Sequence, residues 1–68
     1  MENRQTYADK LVELRKKKGV SRAEVAKAVG VTRSAMSMYE RGERVPRDNI
    51  KIALAKYFNK SINFIFYS

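Results

Sequence analysis

The sequence predicts an all-α fold of five short helices in one small domain. Three observations carry this. Helix-start residues recur at Thr6, Ser21, Thr32 and Ser61, and stop signals at Gly19, Gly30, Gly42 and Asn59. Between them, apolar residues fall three and four apart, the spacing of one helix face. The one stretch with strand-like composition, INFIFY at 62–67, has no second strand to pair with, so a helix is preferred there. A chain of 68 residues suffices for one domain and one small core.

Met1–Gln5 is polar and uncapped, and reads as a flexible N-terminal arm ahead of a single domain over 6–68. Thr6 caps the first helix, and Asp9 puts a negative charge in its first turn, where the helix dipole favours it. Tyr7, Leu11 and Leu14 mark its inner face. Lys16, Lys17, Lys18 and then Gly19 end it, cations in the last turn followed by a residue free to turn left-handed. The lysine run fits either a solvated helix end or a phosphate contact.

Ser21 and Glu24 form a reciprocal cap for the second helix, whose buried face is Val25, Ala26 and Val29. Ala26 is small where two helices must cross closely. Gly30 ends this helix, Val31 folds inward to pin the turn, and Thr32 caps the third helix, about 33–41. At about 100° per residue, Met36, Tyr39 and Glu40 share one side of that helix and Ser34, Ser37, Met38 and Arg41 the other. Arg33 stands at its start. An acid on the inner side costs several kcal/mol if unpaired, so Glu40 requires a cation. Pro46 breaks the chain before a fourth helix from Arg47 or Asp48 to Phe58, with Ile50, Leu54, Tyr57 and Phe58 inward and Ile52 ambiguous. Asn59 closes it, and Ser61 caps a short last helix over Ile62–Phe66.

Composition narrows the function. There is no Cys and no His, so neither a disulfide, a thiolate nor an ordinary zinc site is available, and no cofactor or small-molecule ligand is expected. With no phosphate-cradling glycine loop and little chain for a pocket, an enzyme is the least expected class. No apolar run approaches the roughly 20 residues of a membrane span, and the N-terminus lacks a signal-peptide core, so a soluble cytoplasmic protein is expected. The net charge of +8 calls for a polyanionic partner. A short helix carrying small polar and basic residues on its outer face, braced across another helix, fits the major groove of double-stranded DNA.

From about Leu11 to Phe66 the chain resembles the phage-repressor/Cro helix-turn-helix proteins, the XRE family. The segments LRKKKGVSRAEVAKAVGVTRSAMSMYERGERVPR and LAKYFNKSINFIF carry the resemblance: the small residue and turn glycine, two flanking valines, Met36 and Tyr39 in register, and the E-R-G close of the third helix. It implies a compact five-helix, lambda-repressor-like DNA-binding domain, with the helix-turn-helix at helices 2 and 3 and helix 3 as the recognition helix. It also implies an ion pair between Arg15 and Glu40, acting as scaffold. By the same resemblance, Arg33, Ser34, Ser37 and Met38 fall on base-reading positions, and Arg22 and Thr32 on phosphate-contacting positions. Arg22 stands where the family usually has glutamine. Met38 replaces a polar or basic reader; it fits a thymine methyl or is simply an exposed apolar residue.

The expected activity is thus transcriptional regulation, by default repression, with Arg22, Arg41, Arg44 and Arg47 neutralising phosphates. The family solution for selecting a genomic site is a homodimer on an inverted-repeat operator. The apolar end, Phe64, Phe66 and Tyr67, is the candidate dimer surface, unless those rings only close the core. The competing expectation is an antitoxin-like or coactivator-like interaction module that uses the same fold to bind a protein.

Overall fold

The computed structural model describes residues 6–67. The N-terminal arm expected over Met1–Gln5 and the last residue, Ser68, lie outside the described residues. Four α-helices run Tyr7–Lys18 (α1), Arg22–Val29 (α2), Arg33–Glu40 (α3) and Asp48–Phe58 (α4), followed by a π-helical turn over Asn63–Tyr67. No strand occurs among the described residues.

Side-chain caps set most of the boundaries. The Thr6 hydroxyl accepts from the Asp9 amide at 3.2 Å and the Asp9 carboxylate accepts from the Thr6 amide at 3.4 Å. Ser21 and Glu24 exchange the same pair of bonds at 3.1 and 2.9 Å. Thr32 accepts from the Ala35 amide at 3.0 Å. Each cap satisfies a helix-end donor that would otherwise be orphaned. Gly30 ends α2 at φ 83°, and the amides of Gly30 and Val31 both donate to the Ala26 carbonyl at 2.9 Å.

Gly30→Ala should therefore lower folding stability by about 1–2 kcal/mol, the penalty of a left-handed residue with a Cβ. A Cβ at Gly30 would meet nothing within 4 Å, so the loss is backbone strain alone. Urea unfolding of the variant reads it directly. Asn59 already takes the equivalent position after α4, at φ 57°.

The core centres on Leu11, Val25, Met36, Leu54 and Ile65, all but fully buried. α3 packs against α2 and α1; α2 also packs against α4, and the π turn against α1. Ile52, ambiguous by spacing, is half exposed.

The end of the chain differs from the short helix expected over Ile62–Phe66. Ser61 does cap it, its hydroxyl accepting from the Phe64 amide at 3.0 Å. The bond from the Ile65 amide to the Ser61 carbonyl, however, is stretched to 3.4 Å, and the backbone over Asn63–Tyr67 is widened into a π turn. The wider turn seats Ile65 in the core and sets Phe66 against the Tyr7 ring, centroids 5.8 Å apart. It also presents the Phe64 carbonyl to Lys10, whose Nζ donates to it at 2.7 Å. Lys10 is buried on α1 with its ammonium 5.2 Å from the Phe64 ring centre, a clasp between residues too far apart in the chain to be read from local spacing.

Candidate nucleic-acid interface

The outer face of α3, where the base-reading residues are expected, follows from the helix's amphipathicity. Ala35, Met36, Tyr39 and Glu40 are buried, which turns the remaining side chains outward. Arg33, Ser34, Ser37, Met38 and Arg41 line one open surface concavity. The four expected base readers are thus brought together, joined by one of the expected phosphate contacts. Ser37 and Met38 are half-buried, while Arg33 and Ser34 are exposed. Arg33 makes no hydrogen bond or ion pair among the described residues, so its planar donor fork is uncommitted.

Thr32, Arg44 and Arg47 line a second concavity, between the α2–α3 turn and the loop after α3. Val45, 59 % exposed, lies in that loop between the two arginines. The Thr32 oxygen accepts the Ala35 amide, which leaves its own proton free to donate. Arg47 is the N-cap of α4 through its backbone alone, its side chain making no cap bond. The Tyr7 hydroxyl donates to the Arg44 carbonyl at 2.9 Å and ties this loop to α1. That tie joins residues 37 apart and left no local trace in the sequence.

Arg41 is partly occupied. Its Nη2 donates to the Glu43 carboxylate at 3.0 Å, both side chains remaining 56 % exposed. This hydrogen bond, helped by the opposite charge, raises the Arg41 pKa. The same bond holds the Glu43 carboxyl below its usual range. The pair therefore contributes at and above ordinary carboxylate pKa values and is lost as pH falls through the depressed one; at this exposure its effect on stability is small. Opposite charges two residues apart across Gly42 were the available sequence signal. For a phosphate, Glu43 is a competitor. Glu43→Gln should raise affinity for duplex DNA severalfold at low salt, measured by fluorescence anisotropy.

Arg22 stands apart from both concavities, at the first residue of α2. Its Nε donates to Glu40 at 2.9 Å. Arg15 donates to the same carboxylate at 2.6 and 3.3 Å. The acid that sequence reasoning required to be paired thus holds two cations.

The three C-terminal rings divide. Phe66 is half-buried, whereas Phe64 and Tyr67 are 45 % and 61 % exposed. Lysines flank them: Lys60 lies 5.4 Å from the Phe64 ring centre, and Lys51 donates to the Tyr67 hydroxyl at 2.7 Å. A third concavity, floored by Ile52, Ala55 and Ile62, sits at the nearby corner between α4 and the π turn.

Among the described residues no cluster of acidic side chains could hold a metal ion, and no helix is long and apolar enough to cross a membrane.

A helix-turn-helix family model matches residues 11–65. Comparison with curated proteins finds no match. Among solved structures, the chain is similar to the P22 c2 repressor protein, crystallised in complex with a synthetic operator: TM-score 0.91, 30% identity, covering 94% of this chain and 97% of that one. The solution structure of the DNA-binding domain of the P22 c2 repressor matches with a TM-score of 0.88 and 31% identity, over 94% of this chain and 84% of that chain. A transcriptional regulator from Listeria innocua matches at 0.87 and 28% identity, over 93% of this chain but 59% of that one.

Proposed function

Because this chain belongs to the helix-turn-helix family, with the fold of repressor DNA-binding domains, we propose that it is a sequence-specific repressor of transcription. It binds double-stranded DNA as a homodimer on an inverted repeat, in the cytoplasm, without catalysis. The observation that carries this reading is the concavity on α3, where Arg33, Ser34, Ser37, Met38 and Arg41 share one surface on an otherwise buried helix.

In this reading α3 enters the major groove. Arg33 donates its fork to guanine O6 and N7. Ser34 and Ser37 are short enough to let the helix sit deep, and bond a base edge or a bridging water. Met38 lies against a thymine methyl. Arg22, Thr32, Arg41, Arg44 and Arg47 hold phosphates on either side, fixing register without reading sequence. The second half-site, about 34 Å away, is met by the second protomer. Phe64 and Tyr67 are the exposed rings available to the dimer, and Phe66, packed on Tyr7, supports them.

A salt titration on random duplex DNA tests this. Four phosphate-bound arginines predict a slope of log affinity against log salt of about −3 to −4 per protomer. Absence of binding at low salt would instead favour a protein-interaction module working through the exposed C-terminal rings. Phe64→Ser should leave the fold intact and lower the dimer fraction in analytical ultracentrifugation; a parent protein that stays monomeric both alone and on DNA rules out the dimer.

A further inference from the structure

Glu40 is the last residue of α3 and its carboxylate is nearly sealed from solvent, 2 % exposed at the side chain. The two arginines it binds are unequal. Arg15 is 13 % exposed at its side chain and engaged at all three nitrogens: Nε and Nη2 to Glu40, and Nη1 to the Val20 carbonyl at 3.1 Å. Arg22 is 45 % exposed and gives Glu40 its Nε alone, with no further partner among the described residues. A guanidinium has five N–H donors, so four of those on Arg22 remain. One carboxylate facing two guanidiniums leaves one positive charge over, and it resides on the exposed member. Arg22 is also the first residue of α2, where the helix dipole adds to that charge.

We propose that Glu40 is a positioning residue for DNA: by gripping Arg22 through Nε, it preforms the Nη edge as a fork for one backbone phosphate. The inference rests on the DNA-binding reading above and deepens it. A surface arginine ordinarily loses rotamer freedom when it binds, and one already held loses less. The grip also ties two elements together. The phosphate contact at the start of α2 and the base-reading helix α3 are joined through a single carboxylate, so the backbone contact sets the register of the readers. Arginine is the residue type that can do both at once: Nε meets the carboxylate while both Nη nitrogens stay available. A glutamine has one amide group and a lysine one point-like ammonium.

The test compares the wild-type chain with Arg22→Gln, Arg22→Lys and Glu40→Gln on one random-sequence duplex across a range of salt. Folding of each is checked by circular dichroism. Arg22→Gln is expected to make the salt slope shallower by about 0.9, the loss of one phosphate contact. Arg22→Lys should keep the slope but bind severalfold more weakly at every salt, because it retains the charge without the fork. In the free wild-type protein, NMR should find the Arg22 Nε–H exchanging with solvent more slowly than those of Arg33 and Arg44. A folded Glu40→Gln should lose that protection and bind more weakly. If Glu40→Gln does not fold, the exchange rate in the intact chain and the lysine comparison decide between them. An unchanged slope in Arg22→Gln, with wild type binding normally, overturns the inference and leaves the DNA reading standing. Arg22→Lys equal to wild type at all salts, or an unprotected Nε–H, overturns the positioning role of Glu40. No DNA binding by wild type at low salt overturns both.

Discussion

Glu40→Ala is expected to lower folding stability by about 3–5 kcal/mol, the usual consequence of removing one partner of a buried ion pair. The loss arises at Arg15. Its guanidinium is nearly buried and would keep only the Val20 carbonyl as acceptor. A single core of this size supplies net stability of about the same magnitude, so the variant should be largely unfolded at room temperature. Chemical denaturation followed by circular dichroism measures this. Replacing both residues, Arg15→Met with Glu40→Leu, should restore most of the loss, because two apolar side chains leave no buried charge. Arg22 is exposed enough to remain solvated in that background. The double variant would then be folded but, without the grip on Arg22, weaker on DNA. A single-variant loss below about 1 kcal/mol would mean that the pair behaves like a surface ion pair.

Arg33→Ala is expected to cost about 1–3 kcal/mol of binding free energy on the preferred site and to relax preference at one base pair. Of the two guanidiniums in the α3 concavity, that of Arg41 is shared with Glu43, whereas nothing among the described residues competes for the fork of Arg33. Arg41→Ala should behave differently, weakening all sequences alike and making the salt slope shallower by about one contact. Its effect is tempered by Glu43, which already occupies one Arg41 nitrogen. Competition assays with specific and random duplexes separate the two outcomes. Equal behaviour of the two variants would contradict the division between reader and phosphate grip.

Much of this architecture was legible because its determinants are local. Thr6, Ser21 and Thr32 reach amides three residues away, and Gly30 and Asn59 are residue types that tolerate positive φ. The inner and outer faces of α3 follow from helical periodicity, and its outer face is where the expected readers meet. Other features depend on contacts that sequence spacing cannot express. Lys10 lies on the same stripe as other α1 residues, and only the packing of the π turn explains why a cation is buried there. The link from Arg22 to Glu40 spans 18 positions and needs the actual crossing of α2 and α3. Periodicity required a cation for Glu40, and the family resemblance supplied Arg15; neither indicated that a second arginine would share the carboxylate. The widened last turn was also hidden, because the same capping serine serves an α-helix or a π turn.

Selection of bound sequences from a random duplex pool, run in parallel on wild type and Arg33→Ala, tests whether α3 reads DNA through Arg33. Wild type should enrich an inverted repeat, with half-sites about 34 Å or one helical turn apart and a guanine in each half-site. In Arg33→Ala that guanine preference should vanish while the rest of the site persists. A pool that is not enriched at all, or the same enriched site with and without Arg33, would contradict the assignment of α3 as the helix that reads DNA.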